Sequence, residues 1–86
     1  MEPEELEQLI AGNVRAARAR TRLRQEDLAD AMGWQRATVT SLENGSRRLT
    51  LVEAVLLCGA LKISLRDLLH GAPEDVFTKL GFPDAR

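Results

Sequence analysis

Leu6, Ile10, Val14 and Ala17 recur three and four residues apart, the spacing of a helix with one face turned inward. This predicts a first helix from Glu4 to about Thr21. A shorter second helix is expected over Gln25–Met32, with Leu28, Ala29 and Met32 on one side. Gly33 suits the left-handed residue that closes such a helix. A third helix runs from about Arg36 to Glu43 and stops at Asn44-Gly45, a strong turn dipeptide. Thr50 and Glu53 stand three apart before an apolar run, the spacing of a capping box. They open a fourth helix, whose Leu51, Ala54, Val55, Cys58 and Leu61 are expected to face the core. Ser64 and Asp67 repeat that layout and begin a short fifth helix through Leu68 and Leu69, ended by Gly71. Pro73-Glu74-Asp75 places proline and acids in a first turn; Val76, Phe77 and Leu80 follow before Gly81 and Pro83. No segment alternates with the period of a strand. The expected class is all-α: five helices and a short additional C-terminal helix.

The 86 residues make a single domain, 1–86. A chain of this size buries only about 60–65% of the surface its unfolded form exposes, so its core must be simple. Trp34, Phe77 and Phe82 are the aromatic residues, so Leu, Val and Ala carry the 44% apolar content. There is no apolar run of about 18 residues, so no membrane span is expected, and the acidic start is not that of a signal peptide. Cys58 is the single cysteine, which excludes an internal disulfide and a cysteine metal cluster and makes the reducing cytoplasm the expected compartment. The single histidine, His70, reads as a surface or helix-end residue, and no cofactor is expected.

The net charge of −1 argues at first against nucleic acid, but the charge is unevenly distributed. Residues 1–14 carry four Glu and no base; residues 15–48 carry eight Arg against four acids. Such a segment can form a local field that attracts phosphate despite an acidic total. Taken alone, the arginines fit a genome that favours Arg codons as well as they fit a DNA surface.

Chemistry concentrates in the stretch QEDLADAMGWQRATVTSLENG. Two short helices joined by a tight glycine turn cross steeply, and the first braces the second. With Arg36 at zero on a helical wheel, Ala37, Thr40, Ser41 and Asn44 fall within about 140° on one side. Thr38, Val39 and Leu42 fall opposite, with Glu43 at a border. One face is therefore aliphatic, while the other holds an arginine, small residues and hydroxyls. A major groove requires such a face: small side chains admit the backbone, arginine reaches guanine, hydroxyls bond bases or phosphates, and an alanine methyl touches thymine. A solvated face would carry long Glu and Lys residues instead.

From about Ile10 to Leu69 the chain resembles the Cro/phage-repressor-type (XRE-like) helix-turn-helix domains. The resemblance rests on Arg18, Leu23, Gln25, Leu28-Ala29, Gly33, Arg36, Val39, Leu42-Glu43-Asn44-Gly45 and the late Leu61, Ser64-Leu65 and Leu68-Leu69. It implies a core over residues 10–69, a helix-turn-helix over 25–45 and a C-terminal extension over 71–86. It also implies roles. Gln25 grips a phosphate and steadies the third helix, Arg36 and Ala37 read bases, and Ser41 reads one turn on. Asn44 contacts the DNA backbone, and Arg47 and Arg48 follow the phosphate chain. Arg18 and Glu43 match a partly buried ion pair between the first and third helices. Several positions depart from the family pattern. Arg24 replaces a Ser or Thr cap. Gln35 replaces a small cap and is thereby free to touch DNA. Ser41 stands where a longer side chain is common, and Leu49 where proline is frequent. With Thr40, these make the expected base readers Gln35, Arg36, Ala37, Thr40 and Ser41. Trp34 and Cys58 read as core residues.

The expected function is that of a sequence-specific DNA-binding transcriptional regulator, a repressor that binds double-stranded DNA as a homodimer on a two-fold-related operator. The alternatives are an antitoxin with a toxin partner and a protein-interaction module on the same scaffold. Enzyme activity is not expected, since no carboxylate pair, nucleophile–base set or phosphate loop is present.

Overall fold

The computed structural model describes residues 1–83. Its elements in chain order are α1 (Pro3–Arg20), α2 (Gln25–Met32), α3 (Arg36–Glu43), α4 (Leu51–Leu61), α5 (Leu65–Leu68) and α6 (Glu74–Lys79). Among the described residues there is no strand, so the all-α expectation holds.

Several helix ends are set by identifiable contacts. Pro3 fits the first turn of α1, where a missing N–H costs nothing, and Glu5 accepts from the Glu2 N–H at 2.8 Å. α2 lacks a hydroxyl cap, as Arg24 led one to expect. Instead the Asp27 carboxylate accepts from the Arg24 N–H at 2.9 Å and pairs with its guanidinium at 3.2 Å. At the other end Gly33 has φ 69°, and the Trp34 N–H reaches back to the Ala29 carbonyl at 2.8 Å. The two form a Schellman stop, which turns the chain sharply into α3. Thr50 and Glu53 form the reciprocal capping box of α4, and Ser64 and Asp67 that of α5.

Val14, Ala17, Leu28, Ala29, Val39, Leu42, Ala54, Leu57, Leu61 and Leu68 form one core to which α1 through α5 all contribute. Leu6 and Ile10 are only half-buried at its edge. The inward face of α4 differs from expectation. Leu51 and Val55 are exposed, at 74% and 65%, and Leu57 takes the buried place beside Ala54 and Leu61, with Cys58 half-buried. Its sequence LVEAVLLCGAL is apolar on nearly every side, so periodicity alone could not choose a face. Packing against α2, α5 and α1 chose it.

Asn13 of α1 donates to the carbonyls of Leu68 and His70 at 2.8 and 2.9 Å, which fastens the end of α5 to α1. His70 is exposed at this helix end. The C-terminal extension folds back on α5. The Arg66 guanidinium lies 4.9 Å from the ring centres of both Phe77 and Phe82, whose rings meet edge-on at 5.9 Å. Residues 84–86 of that extension lie outside the described chain.

Candidate nucleic-acid interface

Val39, Leu42 and Glu43 are the buried residues of α3, and they fix which way the helix faces. Arg36, Ala37 and Thr40 are thereby exposed, with Gln35 just before them and Asn44 just after; Ser41 is half-buried. Ala37, Thr38, Ser41, Ser46 and Arg47 border an open, polar depression beside the helix. The residues expected to read bases therefore share one outward surface.

Behind this surface lies a polar chain that begins in the core. Glu43 is 4% exposed and is the buried charged residue among those described. It accepts from Arg18 Nε at 2.6 Å, from Arg18 Nη2 at 3.0 Å and from Gln25 Nε2 at 3.1 Å. Arg18 also donates Nη1 to the Leu23 carbonyl at 3.0 Å, and Arg15 donates to the Glu43 carbonyl. The hydrogen bonds that Arg18 donates to Glu43 hold its pKa above the ordinary value, although burial opposes them. A buried charge is tolerable only when paired and hydrogen-bonded, and here it is both. The pair ties α1 to α3.

Gln25 carries the chain outward. Its Oε1 accepts from Arg36 Nε at 3.2 Å, and the Thr40 hydroxyl lies 3.4 Å from the same oxygen. Gln25 thus links the buried carboxylate to two exposed side chains of α3. One N–H of its amide is used by Glu43, which leaves the second N–H unused among these contacts.

The two arginines of the loop after α3 differ. Arg47 gives Nη1 and Nη2 to the Glu53 carboxylate at 3.1 and 2.8 Å, and its guanidinium lies 4.7 Å from the centre of the Trp34 ring. It binds the loop to α4 and covers the half-buried indole, which packs against the core on its other side. The fork from Arg47, helped by the Thr50 N–H, lowers the Glu53 pKa from 4.5 to about 2. Arg48 is 79% exposed and pairs with Glu7 of α1 at 2.7 Å. Asn44 turns its side-chain oxygen onto the Ser46 N–H at 3.0 Å and braces the turn. Neither the Arg47–Glu53 nor the Arg48–Glu7 contact was legible in the sequence. Each joins residues with no helical register between them.

Two short helices joined by the Gly33 turn and packed on each other, with the outer face of the second open and held from beneath, define a helix-turn-helix DNA-binding protein. Residues 14–68 match the model of the helix-turn-helix family HTH_3, and the chain belongs to this Cro/phage-repressor-type family. It is similar to the control protein C.SmaI of Serratia marcescens, with 35% identity over 65 residues, 76% of this chain and 77% of that protein. The crystal structure of the restriction-modification controller protein C.AhdI from Aeromonas hydrophila is 34% identical with a TM-score of 0.68, covering 72% of this chain and 94% of that one. The clp gene regulator ClgR of C. glutamicum is 25% identical with a TM-score of 0.71, covering 74% of this chain and 83% of that one. The chain is a sequence-specific DNA-binding transcriptional regulator.

Proposed function

We propose that the chain is a repressor that binds a two-fold-related operator as a homodimer, with α3 in the major groove. The observation that carries the reading is the outer face of α3, where one long, flexible donor stands among small side chains and hydroxyls. Gln35, Arg36, Ala37, Thr40 and Ser41 read bases. Gln25, Asn44 and Arg48 lie along the phosphate path, and Arg47 sits at its edge while its guanidinium braces the loop. The charges beneath the face, Arg18 and Glu43, hold helices together and have no part in catalysis. No helix among the described residues is long and apolar enough to cross a membrane. Burial raises the pKa of the lone Cys58 thiol, which marks it as an unreactive packing residue, and the family reading supports a cytoplasmic location.

We place the second copy on α4. Leu51, Val52, Val55 and Leu56 are 56–74% exposed and make up most of the large exposed apolar side chains of the described chain. A two-fold interface needs a patch that complements itself, and an uncharged stripe does so. The one charge on this helix, Glu53, is turned away to Arg47. The tail supports a seam less well, because Phe77 and Phe82 are already engaged with Arg66. The similarity to two control proteins, one of them a restriction-modification controller, makes the promoter of such a gene pair the first target to test.

Selection of bound duplexes from a random pool tests the reading. The expected product is a symmetric site with half-sites about one turn, ~34 Å, apart. Enrichment of a single asymmetric half-site would overturn the homodimer.

A further inference from the structure

Glu26 stands in the first turn of α2, where an acid suits the helix dipole, and at the edge of the reading surface. Asp27, not Glu26, closes that helix by accepting the Arg24 N–H. Glu26 is half exposed, and its Oε1 lies 3.7 Å from Arg36 Nε. A carboxylate beside the phosphate path weakens binding to every duplex through like-charge repulsion. Such a placement calls for a compensating use.

That use lies in the geometry of Arg36. Its Nε donates to Gln25 Oε1 at 3.2 Å and faces Glu26 as well, so both contacts fall on one edge of the guanidinium. Gln25 is itself fixed by Glu43, and Glu43 by Arg18. The inner edge of Arg36 is therefore held by groups anchored in the core, and the Nη1/Nη2 edge is left for a ligand. That edge carries the two parallel donors which match guanine O6 and N7.

We infer that Glu26, acting with Gln25, is a positioning residue for base reading, holding the inner edge of Arg36 so that its terminal edge meets guanine. The inference rests on the reading that Arg36 recognises guanine. Two effects raise discrimination. Arg36 is 65% exposed and long, so orienting it beforehand removes an ordering cost that would otherwise fall on the correct site. Glu26 also keeps Arg36 neutralised over a wrong base pair, where a released guanidinium would swing to a phosphate and bind any sequence.

The test uses the full chain and two duplexes: the site selected by the wild type, and the same site with the Arg36-dependent guanine replaced by adenine. Glu26→Gln is expected to bind the second duplex more tightly than the wild type does. Its preference for the first should fall about three- to tenfold, with the melting temperature nearly unchanged. In an Arg36→Ala background the same substitution should not alter the ratio. A ratio unchanged or raised by Glu26→Gln, with both duplexes bound more tightly, would reduce Glu26 to a repelling charge and overturn the inference. If Arg36→Ala alone leaves the guanine preference intact, base reading by Arg36 is wrong and the inference falls with it. If Arg36→Ala abolishes the preference and Glu26→Gln leaves it intact, only the positioning role fails.

Discussion

Breaking the Arg18–Glu43 pair strands a charge in the core. Glu43→Ala leaves Arg18 without its partner, and losses of this kind run to about 3 kcal/mol when one member keeps some water. For a domain of this size that lowers the melting temperature by roughly 10 °C or more. Glu4→Ala, on the exposed first turn of α1, is the control and should change little. Glu53 is no such control, since it both caps α4 and pairs with Arg47. Its folded pKa of about 2 lies below the ordinary 4.5, so its contribution is complete above pH 4.5 and is lost as pH falls towards 2. Glu53→Gln should therefore melt earlier than the wild type at pH 7, and the gap should close between about pH 4.5 and 2. A gap that stays constant over that range, in melting curves taken at stepped pH, would remove the ionic part of the pairing. Arg48→Ala tests the loop differently. It should weaken all duplexes alike and lower the salt slope by about one. Glu7→Gln, which frees Arg48, should raise affinity for all of them.

The α2–α3 turn can be tested as an element. A Cβ on Gly33 meets nothing within 4 Å, so Gly33→Ala carries only the penalty of its positive φ, about 1 kcal/mol. A Cβ on Gly45 would meet the Gln8 side chain as well, displacing a flexible amide that lies 3.4 Å from the Asn44 carbonyl. The sequence announced both of these turns, and with them the limits of α2 and α3, because glycine at a left-handed position and apolar residues at helical spacing are local signals. The inward face of α4 was hidden for the opposite reason: a helix apolar all round carries no phase. The outward residues of α3 were legible because Val39 and Leu42 fixed its phase. The support from Gln25 was implied by the family resemblance, whereas the contact of Glu26 with Arg36 and the capture of Arg47 by Glu53 and Trp34 depend on how separate segments meet and had no local signal. The outward placement of these residues was thus visible before their supports were.

For the whole molecule, the proposed seam on α4 and the folded-back tail make separable predictions. Val55→Glu should leave far-ultraviolet dichroism nearly intact, because the side chain is exposed in the single chain, yet shift the protein towards monomer in sedimentation and lower the melting temperature only by what the dimer adds. A variant that remains as dimeric as the wild type would move the seam elsewhere. Truncation after His70 removes α6 and the rings around Arg66 while leaving the core of α1–α5 complete. Helical content should drop only by the short α6, and the dimer should persist. Loss of the dimer on truncation, with Val55→Glu still dimeric, would assign the seam to the tail.

The division of α3 into a face that packs and an outer face proposed to read bases has a consequence for how such a protein diverges. Val39, Leu42 and Glu43 carry the stability, whereas Ala37, Thr40 and the positions beside them add little to the core. Changes on the outer face are therefore almost free of folding cost, and a lineage can drift from one target sequence to another without passing through unstable intermediates. Position 36 is the most strongly coupled of them, since Thr40 shares only Gln25 with it. Its side chain is coupled to Gln25 and Glu26, so a new residue there inherits supports shaped for a guanidinium, and retargeting at that base requires concerted change in two helices.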